Sequence, residues 1–176
     1  MAPPIRFALT EDEVSIAYSV HGEGPPLVFV RGWISHLDLQ WLMPDYRLFM
    51  EALGRHFTVI RYDARGNGLS ERNVVGRLGL DDLALDLHAV TKALNVFEAT
   101  YLATCYGGPV VARFARQAPG HVQRLVLDGP YARGEDLGTP ELMPSVLSTV
   151  KPMQGQPGGA SAVVQYYTDP ARDEGS

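Results

Sequence analysis

One short segment carries the residue types and spacing for covalent chemistry: Tyr101-Leu-Ala-Thr-Cys105-Tyr-Gly-Gly108. An apolar strand pattern runs into a turn and then into a helix pattern. Small residues, Ala103 and Gly107, stand two places either side of Cys105. Strand and helix backbones can close tightly only where the flanking side chains are small, and such a turn lifts the central nucleophile clear of the sheet. A helix starting there favours a thiolate and offers amide N–H groups to an oxyanion. The expected chemistry is attack of the Cys105 sulfur on a carbonyl carbon. The plainer alternative is a small buried residue at a strand end.

The elements that must position Cys105 can be read from the hydrophobic pattern. Residues 6–10 and 15–19 alternate and predict a hairpin. Residues 27–30 form a continuous apolar run, as for a strand buried on both faces. A loop rich in Trp, His and Asp is expected at 31–45, then a helix at 46–53 closed by Gly54. Further strands are predicted at 57–62, 99–104 and 122–128, with a helix at 107–117. Leu80, Leu83, Leu87, Val90 and Leu94 fall at helical spacing, and Asp81, Asp82 and Asp86 read as the solvated start of that helix. The alternation predicts an α/β fold with a mainly parallel, doubly wound sheet and helices on both faces.

Chemistry in such sheets sits at the carboxyl ends of the strands. Of the five histidines, only His36 falls in a loop leaving a strand at that end. Asp128 and Asp63 both leave strands there. The expected catalytic set is therefore Cys105 as nucleophile, His36 as base, and Asp128 or Asp63 as orienting acid. His36 as an ordinary loop histidine is the plainer reading, as is core packing for Trp33 and Trp41. The turn Asp63-Ala-Arg-Gly-Asn-Gly68 lacks the lysine of a phosphate-binding loop and reads as structural.

Composition bounds the rest. Fifteen Lys+Arg against 20 Asp+Glu give a net charge of −5, which argues against a nucleic-acid partner. The single cysteine excludes an internal disulfide and a cysteine-based zinc site. No metal site is expected. No apolar run reaches membrane-helix length, and Met1-Ala-Pro-Pro does not open a secretory leader, so a cytoplasmic protein is expected. Residues 1–128 form the expected core domain. Residues 129–176 are a Pro/Gly-rich extension, with regular structure possible at 142–150 and 160–167, the latter as helix or strand.

The chain resembles the α/β-hydrolase superfamily from about Arg6 to Arg133. The resemblance rests on His21-Gly-Glu-Gly-Pro-Pro-Leu-Val, on Arg61-Tyr-Asp-Ala-Arg-Gly-Asn-Gly-Leu-Ser70, on the Cys105 turn and on Arg124-Leu-Val-Leu-Asp-Gly-Pro130. Trp33-Ile-Ser-His-Leu37 with Trp41 is similar to the branch found alone or fused to adenylate-cyclase and LuxR-type regulatory modules. The resemblance implies oxyanion donors at the Tyr106 N–H and at that of Gly32 or Trp33. It implies no cofactor. Contact with substrate is the other reading of Trp33 and Trp41, beside core packing or a pocket lid. Cysteine stands where the family usually has serine. No histidine follows His121, so the family's late triad members are not supplied, and the sheet is expected to be truncated after about its sixth strand.

The expected function is hydrolysis of a small ester or lactone through Cys105. The alternatives are a non-catalytic ligand-binding or sensor domain and a truncated hydrolase lacking a complete triad. A sheet ending at residues 122–128 leaves one edge unpaired, and a homodimer through that last strand is expected.

Overall fold

The computed structural model describes residues 2–32, 34–74 and 76–131. Trp33 and the segments at 142–150 and 160–167 lie outside the described residues. In chain order the elements are β1 (Ile5–Leu9), β2 (Ser15–His21), β3 (Pro26–Val30), α1 (Leu37–Leu42), α2 (Pro44–Gly54), β4 (Thr58–Tyr62), α3 (Leu80–Ala93), β5 (Ala99–Thr104), α4 (Gly107–Gln117) and β6 (Val122–Asp128). A single 3-10 turn, Pro119–His121, precedes β6. The sheet order is β1-β2-β4-β3-β5-β6. The β1–β2 and β2–β4 pairs are antiparallel, and β3–β4, β3–β5 and β5–β6 are parallel. This is the mainly parallel sheet with helices that the alternation predicts.

The apolar run of β3 is explained by its place in the sheet. Val28 and Val30 join Ile60, Tyr101, Leu87 and Phe114 in the larger core cluster, beneath α3 and α4. Leu27 and Phe29 join Trp41, Met50 and Val59 in a second cluster, beneath α1 and α2. A strand feeding both layers has no polar positions to alternate.

Two expectations need correction. The loop expected at 31–45 contains α1, and α2 begins at Pro44, two residues early. Six helical residues are too few to show periodicity, and α1 is started by the His36 side chain, which is not among the common caps. Asp86 is not part of a solvated helix start. It is fully buried and accepts hydrogen bonds from the Arg65 backbone N–H at 2.9 Å and from Arg65 Nε at 2.8 Å. The pattern held a signal for this: Asp86 lies three residues after Leu83 and four before Val90, on the buried stripe of α3. The other two acids behave as a helix start. Asp82 accepts from the Gly79 N–H, and Asp81 pairs with Arg113 at 2.5 Å.

The turn after β4 is structural, as its sequence suggests. Asp63 is fully buried, and its Oδ2 accepts from Leu37 N–H at 3.1 Å and Leu69 N–H at 2.9 Å. It thus ties the start of α1 to the end of its own turn. Ser70 reaches across to donate to the Asp63 carbonyl and to accept from Ala17 N–H. Arg65 extends the network to Asp12, at 2.7 Å, which holds the Asp12 carboxyl at about 2.

Candidate active site at the carboxyl ends of the strands

β5 delivers its last residue, Thr104, to the carboxyl edge of the sheet, and the chain then reverses into α4. Cys105 makes the reversal with φ at 48°, one of three non-glycine residues with positive φ among those described. A left-handed cysteine is strained, and such strain persists only where surrounding contacts enforce it. Those contacts are on both sides. The Cys105 N–H donates to the Asp128 carbonyl at 2.9 Å, and the Cys105 carbonyl accepts from Gly108 N–H at 3.1 Å. The side chain is exposed and the thiol is free.

The glycines explain how closely the backbones approach. A Cβ on Gly107 would fall against the Val30 carbonyl oxygen at the end of β3. A Cβ on Gly32 would lie 2.9 Å from the Cys105 Cβ and 2.9 Å from the Tyr106 nitrogen. The loop leaving β3 therefore lies directly against the bend, beside the Tyr106 amide. Among the described residues no backbone carbonyl takes the Tyr106 N–H. An amide left open beside a nucleophile at a helix start is what an oxyanion requires. Gly107→Ala is expected to lower stability by about 1–3 kcal/mol, because backbone must move to admit the methyl group. Urea unfolding, together with the rate of Cys105 alkylation, checks this; the rate falls as the bend shifts.

The remaining candidates divide. Asp128 pairs in register with Thr104 and stands next to Cys105 through the backbone bond. Tyr106 is half-buried, its ring 6.1 Å from that of Tyr131. His36 lies in the loop after β3, where its Nδ1 accepts from Leu39 N–H at 3.4 Å and caps α1. With the Nδ1 lone pair so used, a neutral ring carries its proton on Nε2. Among the described residues no side chain hydrogen-bonds the Cys105 thiol. Trp41 is 6% exposed, with Arg61 stacked 4.6 Å from its ring centre and His21 edge-on at 5.2 Å. It packs in the core layer of α1 and α2. Arg61 itself is buried, which its place in a strand pattern gave no hint of. A surface hollow of about 560 Å³ over α3, bounded by His88, Lys92, Phe97 and His121, shares no residue with the bend.

Comparison with known proteins agrees with this geometry. The family model for the alpha/beta hydrolase fold matches residues 25–156. A non-heme chloroperoxidase from Streptomyces lividans is 36% identical over 121 residues, 67% of this chain and 42% of that protein. A pyrrolizixenacetamide deacetylase from Xenorhabdus hominickii is 28% identical over 71% of this chain and 45% of its own length. The crystal structure of esterase RhEst1 from Rhodococcus sp. ECU1013 superimposes with a TM-score of 0.73 at 29% identity, covering 99% of this chain and 65% of that one. The chain spans less than half the length of the two curated relatives. The bend at Cys105, the order of the strands and the match over residues 25–156 agree: the chain belongs to the alpha/beta hydrolase fold family.

Proposed function

We propose that the chain carries an acyl-hydrolase site in which Cys105 attacks the carbonyl carbon of a small ester or lactone. The observation that supports it is an exposed thiol on a positive-φ bend at the head of α4, beside a Tyr106 amide that no backbone carbonyl among the described residues accepts. Relatives described as a deacetylase and an esterase fit the same reaction class. A base takes the thiol proton, sulfur bonds to the carbonyl carbon, and the oxygen becomes an anion held by the Tyr106 N–H and that of Gly32 or Trp33. The carbon–oxygen bond to the alcohol breaks and the alcohol takes the proton. Water then adds to the thioester, releasing the acid and restoring the thiol. In a lactone the alcohol stays tethered.

His36 is the proposed base and Asp128 the proposed acid that orients it. Acting as base requires His36 to release Leu39 N–H, a long bond of 3.4 Å. The reaction requires no metal or organic cofactor. A cytoplasmic setting, where thiols stay reduced, suits it. Among the described residues no helix is long and apolar enough to cross a membrane.

A second reading is favoured by one observation, the engagement of His36 Nδ1 away from the thiol. On that reading the site binds or is acylated by a carbonyl ligand without turnover. The time course with p-nitrophenyl butyrate separates the two. Hydrolysis predicts a burst followed by steady turnover, with both phases slowed about a hundredfold in His36→Ala. Unchanged turnover in His36→Ala removes His36 from the mechanism. A burst without turnover supports the second reading, and neither phase contradicts both covalent schemes.

A further inference from the structure

The hollow over α3, about 560 Å³ in volume, takes no part in the chemistry assigned to Cys105. It has the size of a small-molecule site. Every residue lining it falls between Leu9 and His121. Leu85, His88, Ala89 and Lys92 stand at i, i+3, i+4 and i+7, so one face of α3 supplies much of the lining. The turn after β1 and the segments leading into β5 and β6 supply the rest. The Cys105 bend heads α4, and Gln117 at the far end of that 11-residue helix borders the hollow, about 16 Å away along the axis.

The lining has two chemical parts. One is a run of rings. Phe97 stands edge-on to His121 with centroids 6.5 Å apart, and His121 stands edge-on to His88 at 6.4 Å. Aromatic rings attract one another at these separations, and Phe97 is still 69% exposed. Burial pushes the His88 ring below its ordinary value, against a hydrogen bond with Gln117. Near neutral pH that ring is therefore uncharged and adds to the aromatic surface. The other part is a single ammonium. Lys92, in the last turn of α3, makes no ion pair among the described residues. Glu11 is the one carboxylate in the lining. A flat ring suits the aromatic part and one negative charge suits Lys92, while Glu11 repels a group carrying two.

We propose that this hollow is a binding site for a small aromatic monocarboxylate. The ring lies against Phe97, His121 and His88, and the carboxylate accepts hydrogen bonds from the Lys92 ammonium. The site is separate from the candidate active site and rests on no property of Cys105, so either can fail alone.

Calorimetric titration of the whole 176-residue chain with indole-3-acetate, and with the neutral indole-3-acetamide, tests it. The acetate is expected to bind with a Kd of about 1 mM or tighter, and the amide about tenfold more weakly. Lys92→Met is expected to weaken the acetate about tenfold and to leave the amide unchanged. Phe97→Ser is expected to weaken both. Both side chains are exposed, so the fold is expected to survive, and circular dichroism confirms it. Cys105→Ala is expected to bind the acetate as the parent chain does. No binding at 10-fold the expected Kd, about 10 mM, overturns the proposal. An amide bound as tightly as the acetate overturns the role of Lys92. Binding that persists in Lys92→Met and Phe97→Ser but is lost in Cys105→Ala overturns the site by placing the ligand at the bend.

Discussion

Arg65→Met lowers the stability of the chain by about 3–5 kcal/mol, the usual consequence of removing one partner from a buried ion pair. Both side chains are fully out of solvent, and Asp86 takes two hydrogen bonds from Arg65, one from its backbone and one from Nε. Burial already pushes the Asp86 carboxyl up to about 6 with the guanidinium still opposing it. Without Arg65 that carboxyl rises further and holds its proton in the folded state. A group whose folded pKa lies above its unfolded value contributes stability at low pH and loses it as pH rises through the folded pKa. The variant therefore recovers part of its deficit as pH falls from neutrality towards 5. Urea unfolding at both pH values measures this. The loss extends beyond α3, because Arg65 also holds Asp12, in the turn between β1 and β2. A stability change under about 1 kcal/mol, or one independent of pH, contradicts the account of this network.

Cys105→Ala lowers turnover of p-nitrophenyl butyrate by at least about a thousandfold and removes any burst, since no covalent intermediate can then form. The substitution keeps the bend nearly intact, because alanine retains the Cβ that Gly32 already accommodates. It relieves neither the positive φ nor the bond to Asp128. A loss of activity without a loss of stability is therefore expected, and a melting curve recorded beside the assay separates the two. Residual turnover close to the original value would place the chemistry elsewhere.

The sheet was largely legible in the sequence because its strands obey simple constraints. β3 reads as fully buried because it feeds two core layers, and β6 reads as an apolar strand although its residues 123–128 are exposed. The bend at Cys105 was legible for a steric reason: Gly107 sits where any side chain would meet the Val30 carbonyl. What escaped notice depends on contacts distant along the chain. Asp86 is buried because Arg65, 21 positions away, meets it. Arg61 is buried because Trp41 and Ser19 receive its guanidinium. A six-residue helix started by His36 leaves no periodic trace, and that helix is what turns His36 from a loop histidine into a cap. The strand-end rule placed His36 at the correct edge of the sheet. It could not say which of its nitrogens would be free.

The central claim is that Cys105 is an accessible acyl acceptor because of the backbone that presents it. The direct test is to mix the folded protein with p-nitrophenyl acetate at neutral pH, quench within the first turnover, and map the site of acetylation by peptide mass spectrometry. The account predicts one acetyl group on the Cys105 peptide, lost when the protein is unfolded before mixing. An unmodified Cys105, or labelling as fast in the unfolded chain as in the folded one, would contradict it.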